Sequence, residues 1–200
     1  DGHRLVCYNR SDYKADEYTG DIIVPRKFLS LLSGVLEGEE SVQIWMGANH
    51  MTASFGSDLY FTRIIDERFP DFESVIPKDN DKELTVDKSL LLSAVRRVSI
   101  FSNRSTHQIA IRLTKNRIQI TTEDPEKSSK AQEEIKGEFN GDDLVIGYNA
   151  SYLKDILSHV EGDQVVIKLK TPISAALFYP ATQKEKSNLT MLLMPIRLND

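Results

Sequence analysis

A single cysteine, Cys7, among 200 residues excludes an intrachain disulfide and points to a reducing compartment. Apolar runs are short: none approaches the roughly 20 residues that a membrane-spanning helix needs. No secretion signal opens the chain, so a cytoplasmic protein is expected. Catalytic motifs are equally scarce. There is no glycine-rich phosphate loop, no Cys-x-x-Cys, no paired-histidine zinc motif and no Gly-x-Ser-x-Gly elbow. The four histidines, His3, His50, His107 and His159, have no ligand-like spacing. His50 is expected in a hairpin turn, His159 on the polar side of a helix, and Cys7 as a buried structural thiol. No metal, no cofactor and no catalytic residue is expected. Positive charge is not in excess either. Lys and Arg number 25 against 30 Asp and Glu, a net charge of -5, which argues against a generic nucleic-acid coat but leaves room for a local basic surface.

What remains is an ordinary globular composition, 40% hydrophobic and 28% charged, enough for a packed core. Strand patterns dominate: 21–24, 41–46, 51–55, 59–65, 108–113, 117–122, 164–169 and 175–179, several alternating apolar with polar residues. Gly47-Ala48-Asn49-His50 and Lys115-Asn116 read as hairpin turns. Three stretches change to helical spacing, each read as core packing. They are Phe28, Leu29, Leu32, Val35, Leu36 behind Pro25; Leu90, Leu91, Ala94, Val95, Val98 behind an Asp87 cap; and Tyr152, Leu153, Ile156, Leu157, Val160 behind an Asn149 cap. The fold class expected is α+β. The polar segment Glu123 to Lys130 reads as a solvated loop.

The chain repeats itself. Strand Asp21–Val24, helix, Glu37-Gly38 and strand Val42–Ile44 recur as Asp143–Ile146, helix, Glu161-Gly162 and Val165–Ile167, about 124 positions later. A period that long means duplicated domains. The expected organisation is a truncated α+β unit at 1–77, a Pro- and charge-rich linker at 78–82 and a complete unit at 83–200. The opening Asp1-Gly2, a turn dipeptide without the strand that should precede it, fits a chain that begins inside a domain.

Two surfaces carry organised chemistry. Basic residues gather on the helices: Arg26 and Lys27, then Lys88, Arg96 and Arg97, then Lys154, either a solvated face or a weak phosphate-contacting one. At the other end, Leu189-Thr190-Met191-Leu192-Leu193-Met194-Pro195-Ile196-Arg197-Leu198 is either a last buried strand or an exposed binding surface. Pro195 cannot donate to a ladder, and apolar Met and Leu near it suit a site that takes several partners.

Asp1-Gly2-His3-Arg4-Leu5, Arg68-Phe69-Pro70-Asp71-Phe72, Ser102-Asn103 before a strand, and Met194-Pro195-Ile196-Arg197-Leu198 occur in the order found in the beta subunit of bacterial DNA polymerase III, which the whole chain resembles. The resemblance implies a DNA-clamp fold: repeated domains of antiparallel sheets with pore-lining helices, three to each protomer, two protomers closing into a homodimer ring. This chain resembles the second half of the middle domain and all of the last. The implied function is that of a processivity factor, the non-catalytic subunit of a DNA polymerase holoenzyme. It encircles double-stranded DNA without reading its sequence. It also takes short motifs of the polymerase catalytic subunit, the clamp loader and other clamp-binding proteins such as repair proteins.

By the same resemblance, Gly2, His3, Arg4, Leu5, Pro70, Val75, Leu192, Leu193, Met194, Pro195, Ile196 and Arg197 line a peptide pocket between the middle and last domains. Ser74 departs from the family, where Arg is common. Arg26, Lys27, Lys88, Arg96, Arg97 and Lys154 face DNA, and Ile100 and Phe101 form the subunit interface, whose opposite half lies in a first domain. Without that domain the chain is expected to leave Ile100 and Phe101 uncovered and the ring open. Two other classes compete: a hydrolase or transferase whose site assembles only in space, against which the missing motifs count, and a peptide-binding adaptor unrelated to DNA, against which the long repeat and basic helices count.

Overall fold

The computed structural model describes residues 1–12, 19–38 and 41–198. The chain divides into two compact units, one made of Asp1–Asp12 with Phe72–Asp200, the other of Tyr13–Asp71.

The larger unit contains β1 (Arg4–Arg10). From its second segment come β5 (Lys82–Asp87), α2 (Lys88–Ser99), β6 (Gln108–Thr114), β7 (Arg117–Asp124), β8 (Ser129–Lys136), β9 (Glu138–Asn140), β10 (Leu144–Asn149), α3 (Ala150–His159), β11 (Gln164–Leu169), β12 (Ala176–Pro180) and β13 (Ser187–Leu193). These make a six-stranded sheet, β1-β13-β12-β11-β5-β9, and a four-stranded sheet, β10-β6-β7-β8, all pairings antiparallel. One core unites both sheets with both helices: Leu84, Leu91, Val95, Ile109, Ile120, Leu153, Leu157, Ile167, Phe178 and Leu193 are among its buried members. Sheets on one side and helices on the other share a single apolar layer, so neither helix needs an apolar outer face.

Helix starts follow the expected chemistry. Asp87 accepts from the Leu90 N–H at 2.8 Å, and Asn149 accepts from the Ser151 and Tyr152 N–H groups at 2.9 and 3.3 Å. Leu90 is nonetheless half exposed, because it borders the apolar stripe rather than centring it.

The smaller unit holds α1 (Arg26–Val35) and the sheet β2 (Gln43–Met46), β3 (His50–Phe55), β4 (Asp58–Arg63), in that order. Phe28 and Leu32 of the helix bury against Met51, Ala53 and Phe55 of the central strand, while Leu29 is half exposed. His50 opens β3 opposite Arg63, so the turn before it is one residue shorter than the sequence pattern suggests. The Glu-Gly turns after α1 and α3 share a backbone device: Gly38 and Gly162 both adopt positive φ, 89° and 80°, a region in which only glycine is unstrained. The repeated dipeptide thus marks equivalent chain reversals.

Glu123 to Lys130 is not a loop. Strand β7 runs through Asp124 and β8 begins at Ser129, with a single turn at Pro125–Lys127 between them. Asp124 is 1% exposed and accepts from the Asn103 side chain at 3.3 Å. The segment looks loop-like because β8 is an edge strand whose outer face is charged, as edges commonly are. Cys7, expected to be buried, instead lies half-buried on β1, the edge of its sheet, with Sγ 3.6 Å from the Asn9 side-chain nitrogen.

Tyr148 in β10 is buried in the main core, packed edge-to-face on Phe178 with ring centroids 6.5 Å apart. Its hydroxyl has no hydrogen-bond partner among the described residues, and burial pushes the phenol's pKa well up. An unpaired buried hydroxyl costs about 1–3 kcal/mol. Tyr148→Phe is therefore expected to leave stability unchanged or raise it by about 1 kcal/mol in chemical denaturation. A loss of more than about 1 kcal/mol would mean the hydroxyl is satisfied.

Candidate functional site

The last strand ends where Pro195 requires it to end. Strand β13 stops at Leu193, and the following Met194 to Leu198 leave the ladder. The Met194 N–H donates to the His3 carbonyl at 2.8 Å and the Ile196 N–H to the Gly147 carbonyl at 2.9 Å. Pro195, lacking an N–H, stands between these two ties. Met194 and Arg197 are exposed, Pro195 and Ile196 half-buried.

Pairing of β1 with β13 places Arg4 opposite Leu193 and Leu5 opposite Leu192. Because side chains alternate along a strand, the two pairs lie on opposite faces of the ribbon. On one face Leu192 buries with Ala175 and Leu177, and Leu5, Ile76 and Tyr179 pack partly buried around them. This is a second apolar cluster, separate from the main core and bordered by half-open side chains. Burial also raises the Tyr179 phenol's pKa. The connector is fastened beneath it: Asn80 donates to the carbonyls of Lys168 and Ala175, each at 3.0 Å. Val75 is more than half exposed at the end of the short turn Glu73–Val75.

On the other face Leu193 is fully buried in the main core. Its neighbour Arg4 stacks over the Tyr152 ring, 4.7 Å from the centroid, and pairs with Asp155 and, at 3.2 Å, with Asp1. The His3 ring lies 5.6 Å from that of Tyr152. Asp155 also lies 3.6 Å from His159 Nδ1. Half-exposed ion pairs of this kind contribute at most about 1 kcal/mol, so the network orients the guanidinium more than it stabilises the fold.

Of the twelve residues that the resemblance assigns to a pocket, Leu5 and Leu192 share the second cluster, His3 and Arg4 meet the Tyr152 ring, Met194, Pro195 and Ile196 form the segment beyond β13, and Val75 is exposed. Leu193 is turned into the main core. Gly2 and Arg197 are exposed, and Pro70 belongs to the other unit. Sequence reasoning misses Tyr152, Leu177, Ala175, Ile76 and Tyr179. Tyr152 reads as part of a helix stripe, and no local pattern separates a stripe residue that also meets Arg4 from one that does not.

The basic residues are less free than their spacing suggests. Lys88 Nζ donates to the Val160 carbonyl at 3.0 Å and Lys154 Nζ to the Ser99 hydroxyl at 3.2 Å. Arg97 forms a two-pronged pair with Glu133 on β8, its Nε 3.0 Å from the carboxylate, and hydrogen bonding to Arg97 holds that carboxyl's pKa below the usual range. Arg96 is exposed on α2, as are Arg26 and Lys27 on α1 of the other unit. Beyond α2, Ile100 is 76% and Phe101 45% exposed, an adjacent apolar pair open to solvent. Among the described residues no three His, Cys, Asp or Glu gather to hold a metal, and no helix is long and apolar enough to cross a membrane.

Residues 73–197 match the family model for the C-terminal domain of the DNA polymerase III beta subunit, and residues 1–71 match the one for its central domain. The beta sliding clamp of Pseudomonas putida is 35% identical over 99% of this chain and 53% of its own length. That of Escherichia coli is 30% identical over the same shares. Among solved structures, the DNA polymerase sliding clamp of Pseudomonas aeruginosa superposes with a TM-score of 0.92 at 33% identity, covering 99% of this chain and 53% of that one. A sliding clamp of Bartonella birtlesii, solved bound to griselimycin, gives 0.92 at 28% identity with the same coverage. The chain spans about half the length of these relatives, and its α+β fold is that of the sliding clamps.

Proposed function

Since this chain belongs to the DNA polymerase III beta subunit family, the bacterial sliding clamps, we propose that it is the peptide-capturing part of a processivity factor. Its ligands are short apolar motifs of the polymerase catalytic subunit, the clamp loader and repair proteins. The observation that carries the reading is the ground between β1 and the tail beyond β13. There an apolar floor of Leu177, Leu192 and Leu5 lies on one face of the β1–β13 ribbon and an exposed, unbranched side chain, Met194, follows it, while an oriented cation, Arg4 on Tyr152, stands on the other face. Apolar anchors of a peptide bury against such a floor. Met, unbranched and polarizable, adapts to different partners.

The same reading assigns no catalytic role and no cofactor. In the assembled ring, two copies meet head to tail with Ile100 and Phe101 at the junction. Exposed cations such as Arg96, Arg26 and Lys27 make loose, salt-sensitive contacts to double-stranded DNA in the cytoplasm. Pairing of Arg97 with Glu133, and the internal bonds of Lys88 and Lys154, keep those contacts weak, which suits sliding.

The test is a titration of a fluorescent peptide of the Gln-Leu-x-Leu-Phe type into this chain and into Tyr152→Ala. Saturable binding is expected for the intact chain. Loss of the ring that carries both Arg4 and His3 should weaken it at least tenfold, about 1.4 kcal/mol. No binding by the intact chain, or equal affinity for both, contradicts the assignment.

A further inference from the structure

Gly147 sits in β10 with an ordinary backbone conformation, so its freedom at positive φ is not what the position uses. What it lacks is volume. A Cβ placed there would lie 2.6 Å from the carbonyl oxygen of Ile196, 2.7 Å from Leu198 Cδ2 and 2.9 Å from Leu198 Cγ. These nearest atoms all belong to the tail beyond β13. The leucine atoms can swing aside by changing rotamer; the carbonyl is backbone and moves only if the tail itself moves.

At this same point the tail is fastened. Gly147 and Ile196 form an isolated antiparallel bridge, and the Ile196 N–H donates to the Gly147 carbonyl. Strand β10 terminates the four-stranded sheet, whereas β13 belongs to the six-stranded one. The tail therefore crosses from one sheet to the edge of the other, tied at His3 on departure and at Gly147 on arrival. Met194, Pro195 and Ile196 are the segment between. Five residues after Gly147, on α3, comes Tyr152, the ring that meets Arg4 and His3.

We infer that Gly147 is a positioning residue for peptide capture: its missing side chain lets the tail dock on β10 and so fixes Met194 to Ile196 as one wall of the site. This rests on the peptide-capture reading above. Gly147 acts through the tail alone, and any side chain there separates Ile196 from β10 while β10 keeps its pairing with β6.

The experiment compares the intact chain with Gly147→Ala by titration of the same fluorescent peptide and by amide hydrogen exchange. Gly147→Ala is expected to weaken the peptide at least tenfold. The Ile196 amide should exchange at least tenfold faster, with the α3 amides as protected as before. A general loss of packing would speed both. Gly147→Ala is also placed in a chain lacking Met194 to Asp200, where the carbonyl it would strike is gone. There its unfolding transition should match that of the tail-less parent. Unchanged peptide affinity in Gly147→Ala overturns the inference, as does unchanged Ile196 protection or destabilisation by Gly147→Ala in the tail-less chain. Should the variant that keeps the tail fail to fold, that last comparison decides alone. Absence of peptide binding by the intact chain sinks the capture reading instead, and the Ile196 exchange still judges the docking.

Discussion

Removing Met194 to Asp200 is expected to weaken capture of a Gln-Leu-x-Leu-Phe peptide at least a hundredfold, about 2.7 kcal/mol, while leaving the larger unit folded. Both halves of that expectation come from where β13 stops. Met191 and Leu193, which fill the main core, precede the cut, and Leu192 remains on the opposite cluster. The floor of the site therefore survives. What leaves is its wall: Met194 with its tie to His3, Pro195, and Ile196 with its tie to Gly147. Binding energy concentrates in a few buried anchors, so losing one wall of the recess that receives them costs more than its share of the area. The measurement is the same titration, accompanied by circular dichroism to show the fold retained. Equal affinity would place the site elsewhere.

Phe178→Ala is expected to destabilise the larger unit by about 3–5 kcal/mol in guanidinium denaturation. Phe178 is completely buried on β12, in the core shared by both sheets, with Tyr148 edge-on against it. Truncation removes the apolar transfer term and leaves a cavity that strands on either side cannot close. Because total stability of a domain is only about 5–15 kcal/mol, this loss is a large fraction of it. The consequence reaches the site, since β12 carries Leu177 toward the second cluster and Phe178 toward the first. A loss below about 1 kcal/mol would show that the core tolerates the void, contrary to its close packing.

How much of this is legible in the sequence depends on the range of the interaction. The caps Asp87 and Asn149, the helix stripes, the glycine of each Glu-Gly turn and the stop at Pro195 are local, and each acts through its own neighbours. Strand β8, Ser-Lys-Ala-Gln-Glu-Glu-Ile-Lys, is a strand only because eight residues of β7 pair with it; alone it has the composition of a loop. Pairing of β1 with β13 joins residues at opposite ends of the chain, which no window of sequence contains. The run Met191-Leu192-Leu193-Met194 is uniformly apolar, so period-two alternation cannot tell which side chains face which way. The side chain of Leu193, which the resemblance sets among the pocket residues, lies in the main core. Arg97 likewise looks like a free cation in the sequence because Glu133, its partner, arrives from another element.

The site's location can be read residue by residue from methyl NMR spectra of the chain titrated with the unlabelled peptide. Concentration-dependent shifts are expected at Leu5, Ile76, Leu177, Leu192, Met194 and Ile196, with exposed Ile100 and deep-core Ile109 unmoved. Shifts confined to Ile100 and its neighbours, or none at Leu177 and Met194 under saturating peptide, would contradict the assignment.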